Sequence, residues 1–168
     1  MKDKKQVGKE VILKINGREE KAFCQPGETL LHVLRNKLNH TEVKEGCGKG
    51  DCGACTILLD GIPVDSCLVL AYQAEGKRIL TVKGLGTPEK MHPLQKKFVE
   101  KGAIQCGFCI PGQLLSAEAL LEKNPKPCRE EIKRAISGNL CRCTGYKKIF
   151  DAIEDASQKL RRTMSDKR

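Results

Sequence analysis

The residue type with the clearest chemical potential in this sequence is cysteine, which occurs ten times in 168 residues. Four of the cysteines share a glycine-rich segment and follow the spacing Cys47-x4-Cys52-x2-Cys55-x11-Cys67. The first three positions match the plant-type pattern for an iron–sulfur cluster, C-x4-C-x2-C, although the fourth cysteine arrives sooner than expected. The segment therefore predicts four thiolates that surround one 2Fe–2S cluster.

Glycine is interleaved with this first cysteine set, at Gly46, Gly48, Gly50 and Gly53. Glycine tolerates positive φ and close backbone approach, so N–H groups can point at cluster sulfurs and stabilise their negative charge. The run GKGDCG also matches the dinucleotide-binding pattern, but a strand-like segment follows where that motif needs a helix. Zinc stays an alternative for this loop, although only Cys52 and Cys55 form the C-x2-C knuckle that zinc sites favour in pairs.

A second set of four cysteines occupies the other half, with the spacing Cys106-x2-Cys109-x31-Cys141-x-Cys143. Each pair precedes a predicted helix, whose free N–H groups and dipole favour anionic thiolates. Two such helix starts that face each other would hold a metal centre between them. The C-x-C pair is uncommon for zinc, but this half alone does not name the metal.

Cysteine this abundant indicates a disulfide scaffold, a metal protein or both, and the cellular compartment decides between them. The first residues show neither the apolar region and cleavage site of a secretory signal nor a twin-arginine pair. No apolar run approaches the roughly 20 residues of a membrane span. We therefore expect a cytoplasmic protein that binds no membrane and uses reduced thiols as metal ligands.

The formal net charge of +10 raises the question of nucleic-acid binding. Four Phe, two Tyr and no Trp leave few side chains for stacking on bases. The lysines are spread along the chain and are dense only in the terminal stretches MKDKK and RRTMSDKR. We expect a solvated basic surface that binds no nucleic acid and could dock on an acidic protein partner.

The elements that must position the two cysteine sets differ between the halves of the chain. Alternating apolar residues from Glu10 to Ile15, followed by Asn16-Gly17, predict a hairpin with a type I′ turn. Thr29 is placed to cap a short helix, and strand-like pieces follow the first cysteine set. After the segment 84–90 the period becomes helical. Apolar stripes predict four helices, marked by Leu94 and Phe98, by Ile110 to Leu121, by Ile132 and Ile136, and by Ile149 to Leu160.

These patterns predict an α+β protein with two small domains. Residues 1–84 would form a sheet with one helix, and residues 85–168 would form a small helical bundle with a basic C-terminal tail. At about 80 residues each, a hydrophobic core alone is marginal, so bound metal would help to stabilise both halves.

Three segments, GCGKGDCGACTILLDG, QCGFCIPG and GNLCRCTGY, occur in an order and spacing that resemble a known family. The chain resembles the small iron–sulfur subunit of the xanthine oxidase family of molybdenum hydroxylases, from about Val11 to Leu160. The resemblance implies a plant-ferredoxin-like β-grasp domain followed by a four-helix bundle domain, each with one 2Fe–2S cluster. One departure is Gln113, where many relatives carry Met.

The resemblance also implies an electron-transfer subunit that relays electrons between a molybdopterin centre and FAD. The cluster of the helical domain would lie nearest the pterin, and the ferredoxin-like cluster would lie nearest the flavin. Gln105 matches a glutamine that hydrogen-bonds the pterin, and Cys143 matches the ligand closest to the pterin amino group. The implied partners are a large molybdopterin-binding subunit and a medium FAD-binding subunit, in a heterotrimer or a dimer of heterotrimers.

The sequence shows no Ser/His/Asp arrangement that indicates a catalytic triad. We therefore predict no catalytic residue on this chain and place the substrate chemistry on a partner subunit. Two other functions stay open, a free-standing two-cluster ferredoxin and a zinc-stapled nucleic-acid-binding module. Cys24 and Cys128 fall outside both sets. We expect Cys24 to be buried at the end of a strand and Cys128 to lie at a helix start.

Overall fold

The computed structural model describes residues 7–165, with side chains described through residue 160. The basic stretch Met1–Lys5 and the last three residues of the chain lie outside the described residues. In the described part, the strands are β1 (Lys9–Ile15), β2 (Arg18–Cys24), β3 (Thr56–Leu59), β4 (Ile62–Asp65) and β5 (Arg78–Leu80). They form one mixed sheet in the order β2-β1-β5-β3-β4, in which β1 and β5 pair in parallel and the other neighbours are antiparallel.

The predicted N-terminal hairpin is confirmed, with Ile15 paired to Arg18 across the turn. Asn16 and Gly17 both have positive φ, 50° and 81°, as a type I′ turn requires. The apolar residues of β1 alternate into the core, and Cys24, which ends β2, is fully buried as predicted.

The predicted cap at Thr29 is also confirmed. Its Oγ1 accepts a hydrogen bond of 3.2 Å from the backbone N–H of His32, which holds the first turn of α1 (Leu30–His32). The chain continues in a wider helical turn, Val33–Lys37, before it enters the first cysteine segment. This helix lays Leu30 and Leu34 against the sheet, in the core of the first half.

Within residues 7–165, the second half contains α2 (Val82–Leu85), α3 (Pro93–Glu100), α4 (Ile110–Lys123), α5 (Arg129–Ala135) and α6 (Lys147–Ser165). The last four contain the predicted apolar stripes, except that Ile136 directly follows the end of α5. Helix α2 has only four residues, too few to show a helical period. His92 caps the N-terminus of α3, because its Nδ1 accepts a hydrogen bond of 3.4 Å from the N–H of Leu94. Of the helices described, none has both the length and the hydropathy to cross a bilayer.

Helix α4 joins the two halves. Its apolar face packs in the helical core, where Leu114 lies with Leu94, Phe98 and Ile153. On another face, Leu115 and Ala119 pack against Leu58 of β3 in a separate buried cluster. A buried side chain of the size of leucine contributes about 2 kcal/mol, so this contact holds α4 firmly against β3, the strand that directly follows Cys55.

Candidate metal centres

The first cysteine segment, with Cys47, Cys52 and Cys55, is an irregular loop between the helical turn after α1 and strand β3, and Cys67 follows β4 in the chain. Gly48, Gly50 and Gly53 have φ values of 68°, 86° and 66°, which bend the loop back on itself. The backbone N–H groups of Lys49 and Asp51 donate to the Sγ of Cys47 at 3.5 and 3.3 Å. These donors lower the pKa of Cys47 to about 7, so the loop favours a thiolate at this position.

The sulfurs of the first set meet in two pairs. Cys47 interacts with Cys52, whose Sγ also accepts a hydrogen bond of 3.3 Å from the N–H of Cys47. Cys55 and Cys67 form the second pair, and both are buried. Burial, together with the neighbouring Cys67 and Asp65, raises the pKa of Cys55 to about 12. A bound cation is therefore the natural means of holding a thiolate at this inner position.

The sulfurs of the second set also meet in two pairs, formed between the segment before α4 and the segment before α6. The Sγ atoms of Cys143 and Cys106 lie 3.6 Å apart, and both residues are exposed. Cys109 and Cys141 interact beneath them. Burial, with the neighbouring Cys141, raises the pKa of the Cys109 thiol to about 12.

Two residues that the sequence analysis did not single out hold Cys141 in place. The hydroxyl oxygen of Thr144 lies 3.1 Å from its Sγ, and the hydroxyl of Tyr146 accepts a hydrogen bond of 2.7 Å from its backbone N–H. Burial alone would raise the pKa of Cys141, but the Thr144 hydroxyl and nearby backbone amides outweigh burial and lower the pKa. Thr144 and Tyr146 follow Cys141 closely in the stretch CRCTGY, and this closeness is the sequence feature that could have identified them.

The pairing of the thiols decides which metal group fits. Among the described residues, no three His, Cys, Asp or Glu side chains converge as they would around one metal ion. A structural zinc site needs four donors around a single ion, whereas each iron of a 2Fe–2S cluster takes two protein ligands. The eight cysteines interact most strongly as four pairs, two in each half, and this donor set fits two dinuclear clusters.

Two further positions that the sequence singled out, Gln105 and Cys128, are both exposed. Gln105 is exposed and directly precedes Cys106. Cys128 is exposed at the start of α5, where its backbone N–H donates a hydrogen bond of 2.7 Å to Glu131. All ten cysteines lie within the described residues, and none of them forms a disulfide.

Two family models match the sequence. One describes a 2Fe-2S iron-sulfur cluster binding domain and matches residues 13–81, and the other describes a 2Fe-2S binding domain and matches residues 81–154. The two matches therefore divide between the sheet and the helices, with one cysteine set in each.

Relatives of known function resemble the chain over most of its length. The nicotinate dehydrogenase small FeS subunit of Eubacterium barkeri is 48% identical over 149 residues, which cover 89% of this chain and 95% of that protein. The nicotine 6-hydroxylase small subunit of Paenarthrobacter nicotinovorans is 50% identical over 147 residues, 88% of each chain. A chain in the crystal structure of quinoline 2-oxidoreductase from Pseudomonas putida 86 has a TM-score of 0.87 at 45% identity, covering 92% of this chain and 97% of that one. The protein therefore belongs to the small iron–sulfur subunits of the xanthine oxidase family of molybdenum hydroxylases.

Proposed function

We propose that this chain is the electron-transfer subunit of a heteromeric molybdenum hydroxylase and that it holds two 2Fe–2S clusters. The ligands of the first would be Cys47, Cys52, Cys55 and Cys67, and those of the second would be Cys106, Cys109, Cys141 and Cys143. The observation that carries the proposal is the meeting of these eight thiols as two pairs in each half. When bound, the clusters supply the one-electron chemistry that the side chains of the chain lack.

The protein supplies each proposed site with a buried side and an exposed side. In the first set, Cys55 and Cys67 are buried, whereas Cys47 is partly exposed. In the second set, Cys109 is buried, and Cys106 and Cys143 are exposed. The buried side limits access of water, and the exposed side offers a short distance to a redox partner.

Apolar side chains on the exposed sides support contact with partner subunits. Phe108 lies between two cysteines of the second set and is 45% exposed. Leu140, which precedes Cys141, and Leu68, which follows Cys67, are exposed as well. Aromatic and aliphatic side chains of this kind are typical anchors of protein interfaces.

We therefore place a large molybdopterin-binding subunit against the second set, with Gln105 and Cys143 facing the pterin. A medium FAD-binding subunit would face the first set, so that electrons pass between pterin and flavin through this chain, in a heterotrimer or a dimer of heterotrimers. The mixed sheet supports the β-grasp prediction, and the four longer helices support a four-helix bundle. Domain limits at 1–84 and 85–168 and a cytoplasmic location are parts of the same proposal.

Isolation of the complex through a tag on this chain tests the proposal. We expect two larger chains to be isolated with it, one with molybdenum and one with FAD, measured by metal analysis and flavin fluorescence. Phe108→Glu should weaken this association while the iron content of the chain is retained. Phe23→Glu is a matched control, because Phe23 is 42% exposed on β2 and lies in neither cysteine set.

Two results would argue against the proposal. Isolation of the iron-containing chain alone, under conditions that preserve complexes, would favour a free-standing ferredoxin. Equal loss of partners in Phe108→Glu and Phe23→Glu would remove the argument for an interface beside the second set.

A further inference from the structure

The two cysteine segments meet at a buried junction around Asn139, whose exposed fraction is 3%. Its Nδ2 donates hydrogen bonds to the carbonyl oxygen of Gly53, at 2.9 Å, and to Oγ1 of Thr56, at 3.0 Å. Gly53 lies between Cys52 and Cys55, and Asn139 lies two residues before Cys141. A single side-chain amide therefore connects the ligand segment of the first set to that of the second.

Two further hydrogen bonds surround this amide. The backbone N–H of Leu140 donates to the carbonyl oxygen of Cys52 at 2.9 Å. This bond directly joins a proposed ligand of the first cluster to the residue that precedes a proposed ligand of the second. Gln113 is fully buried in α4, and its Nε2 donates to the carbonyl oxygen of Asn139 at 3.5 Å. Gln113 belongs to α4, the helix that packs on β3 of the first half. This hydrogen bond therefore links the junction to the packing between the two halves.

Glycine allows the segments at this junction to approach as closely as backbones can. A Cβ atom added at Gly53 would lie 2.3 Å from the carbonyl oxygen of Gly138 and 2.6 Å from Nδ2 of Asn139. A Cβ added at Gly112, in the first turn of α4, would lie 2.4 Å from the carbonyl oxygen of Gly53. Three chain segments are thus in contact without room for adjustment, so the separation of the two ligand sets is fixed.

We propose that Asn139 is a positioning residue that sets the spacing of the two clusters and, through it, the rate at which an electron crosses between the halves of the chain. The inference rests on the proposed function, because it requires both clusters. In the crossing, one electron leaves one cluster and enters the other, with no bond broken and no proton moved. Such transfer slows steeply as separation grows, and a buried amide that donates two hydrogen bonds specifies geometry more sharply than an apolar contact of similar area.

The test uses the full-length chain isolated with its iron, in the parent form and in three variants. Asn139→Asp removes the Nδ2 donor with little change of shape. Thr56→Val removes one acceptor of that donor and keeps the buried volume. Ser137→Ala is the control, because the Ser137 hydroxyl is exposed in the same loop and donates to the carbonyl oxygen of Arg134.

Two measurements separate spacing from assembly. Electron paramagnetic resonance reports each reduced cluster and the magnetic interaction between them, and pulse radiolysis reports the rate of electron redistribution. In Asn139→Asp, we expect both cluster signals to persist and the magnetic interaction between the clusters to weaken. The rate of electron redistribution should fall roughly tenfold or more, because small misplacements of positioned groups cost large factors in rate. Thr56→Val should change in the same direction by less, and Ser137→Ala should match the parent.

An unchanged interaction and rate in Asn139→Asp, with both clusters present, would overturn the inference. Loss of clusters from Asn139→Asp and Thr56→Val, with Ser137→Ala intact, would overturn it too, because the amide would then serve assembly rather than spacing. A parent chain that lacks two clusters would instead contradict the proposed function.

Discussion

The Sγ atoms of Cys106 and Cys143 lie 3.6 Å apart although 37 positions separate these residues in the sequence. Cys109 and Cys141 interact in the same way beneath them, so the outer cysteines of the set pair with each other and the inner ones pair with each other. This nested pairing brings together two segments that precede helices, because Cys106 and Cys109 come just before α4 and Cys141 and Cys143 come before α6. The second metal site therefore draws its cysteines from the segments before α4 and α6, whereas the first draws three cysteines from one bent loop and the fourth, Cys67, from the turn after β4.

Replacement of one exposed cysteine should separate the two sites. In Cys106→Ser we expect the iron content to fall from about four to about two per chain, because one cluster loses a thiolate ligand. The first site should keep its spectroscopic signal, since its four cysteines lie in the other half. Iron analysis with electron paramagnetic resonance measures both effects.

The control for this prediction is Cys128→Ser, which changes an exposed cysteine of the same half that lies at the start of α5. Its iron content should equal that of the parent. Loss of iron in Cys128→Ser, or retention of all iron in Cys106→Ser, would contradict the assignment of ligands.

Two glycines with similar backbone angles should respond differently to alanine. Gly53 and Gly61 have φ values of 66° and 82°, so alanine at either position costs about 1 kcal/mol of conformational free energy. Gly61 has open space around it, whereas a Cβ at Gly53 would collide with Gly138 and Asn139. We expect Gly53→Ala to lower the free energy of unfolding by a further 1–3 kcal/mol or so, the usual range for overpacking. Urea denaturation compares the two variants, and equal destabilisation would refute the close contact.

Stability should depend on pH through Glu118, a residue of α4 whose side chain is only 14% exposed. Burial, with the negative charge of Glu122, raises the pKa of Glu118 from 4.5 to about 7. The folded state therefore binds this proton more tightly than the unfolded state, and it loses stability as pH rises from 4.5 to about 7. At 1.4 kcal/mol per pKa unit, the loss amounts to about 3 kcal/mol. Nε2 of His92 lies 3.6 Å from Oε2 of Glu118. A positively charged His92 would stabilise the Glu118 carboxylate, but burial lowers the pKa of His92 and so favours its neutral form.

Glu118→Gln removes this titration. We expect the variant to match the parent near pH 4.5 and to become progressively more stable than the parent up to about pH 7. Thermal unfolding midpoints across this range measure the difference. Glu122→Gln should shift the dependence to lower pH, since it removes a charge that raises the pKa of Glu118. A difference between Glu118→Gln and the parent that does not vary with pH would contradict the prediction.

Spacing in the sequence predicted the local features well. The hairpin at Asn16-Gly17, the cap at Thr29 and the stripes of the longer helices depend on neighbours in the chain, and each is present. The contact of Asn139 with Gly53 spans 86 positions and could not be read from the sequence, because no local pattern indicates which buried amide meets which carbonyl. For the same reason, spacing grouped the cysteines into sets, whereas the pairing within each set emerged only from the folded chain.

The central claim is that eight thiolates hold two dinuclear iron–sulfur clusters. Iron and acid-labile sulfide, measured on the same anaerobically purified full-length chain, test it most directly. The account predicts about four irons and about four sulfides per chain. Zinc in place of iron, or iron without acid-labile sulfide, would contradict it.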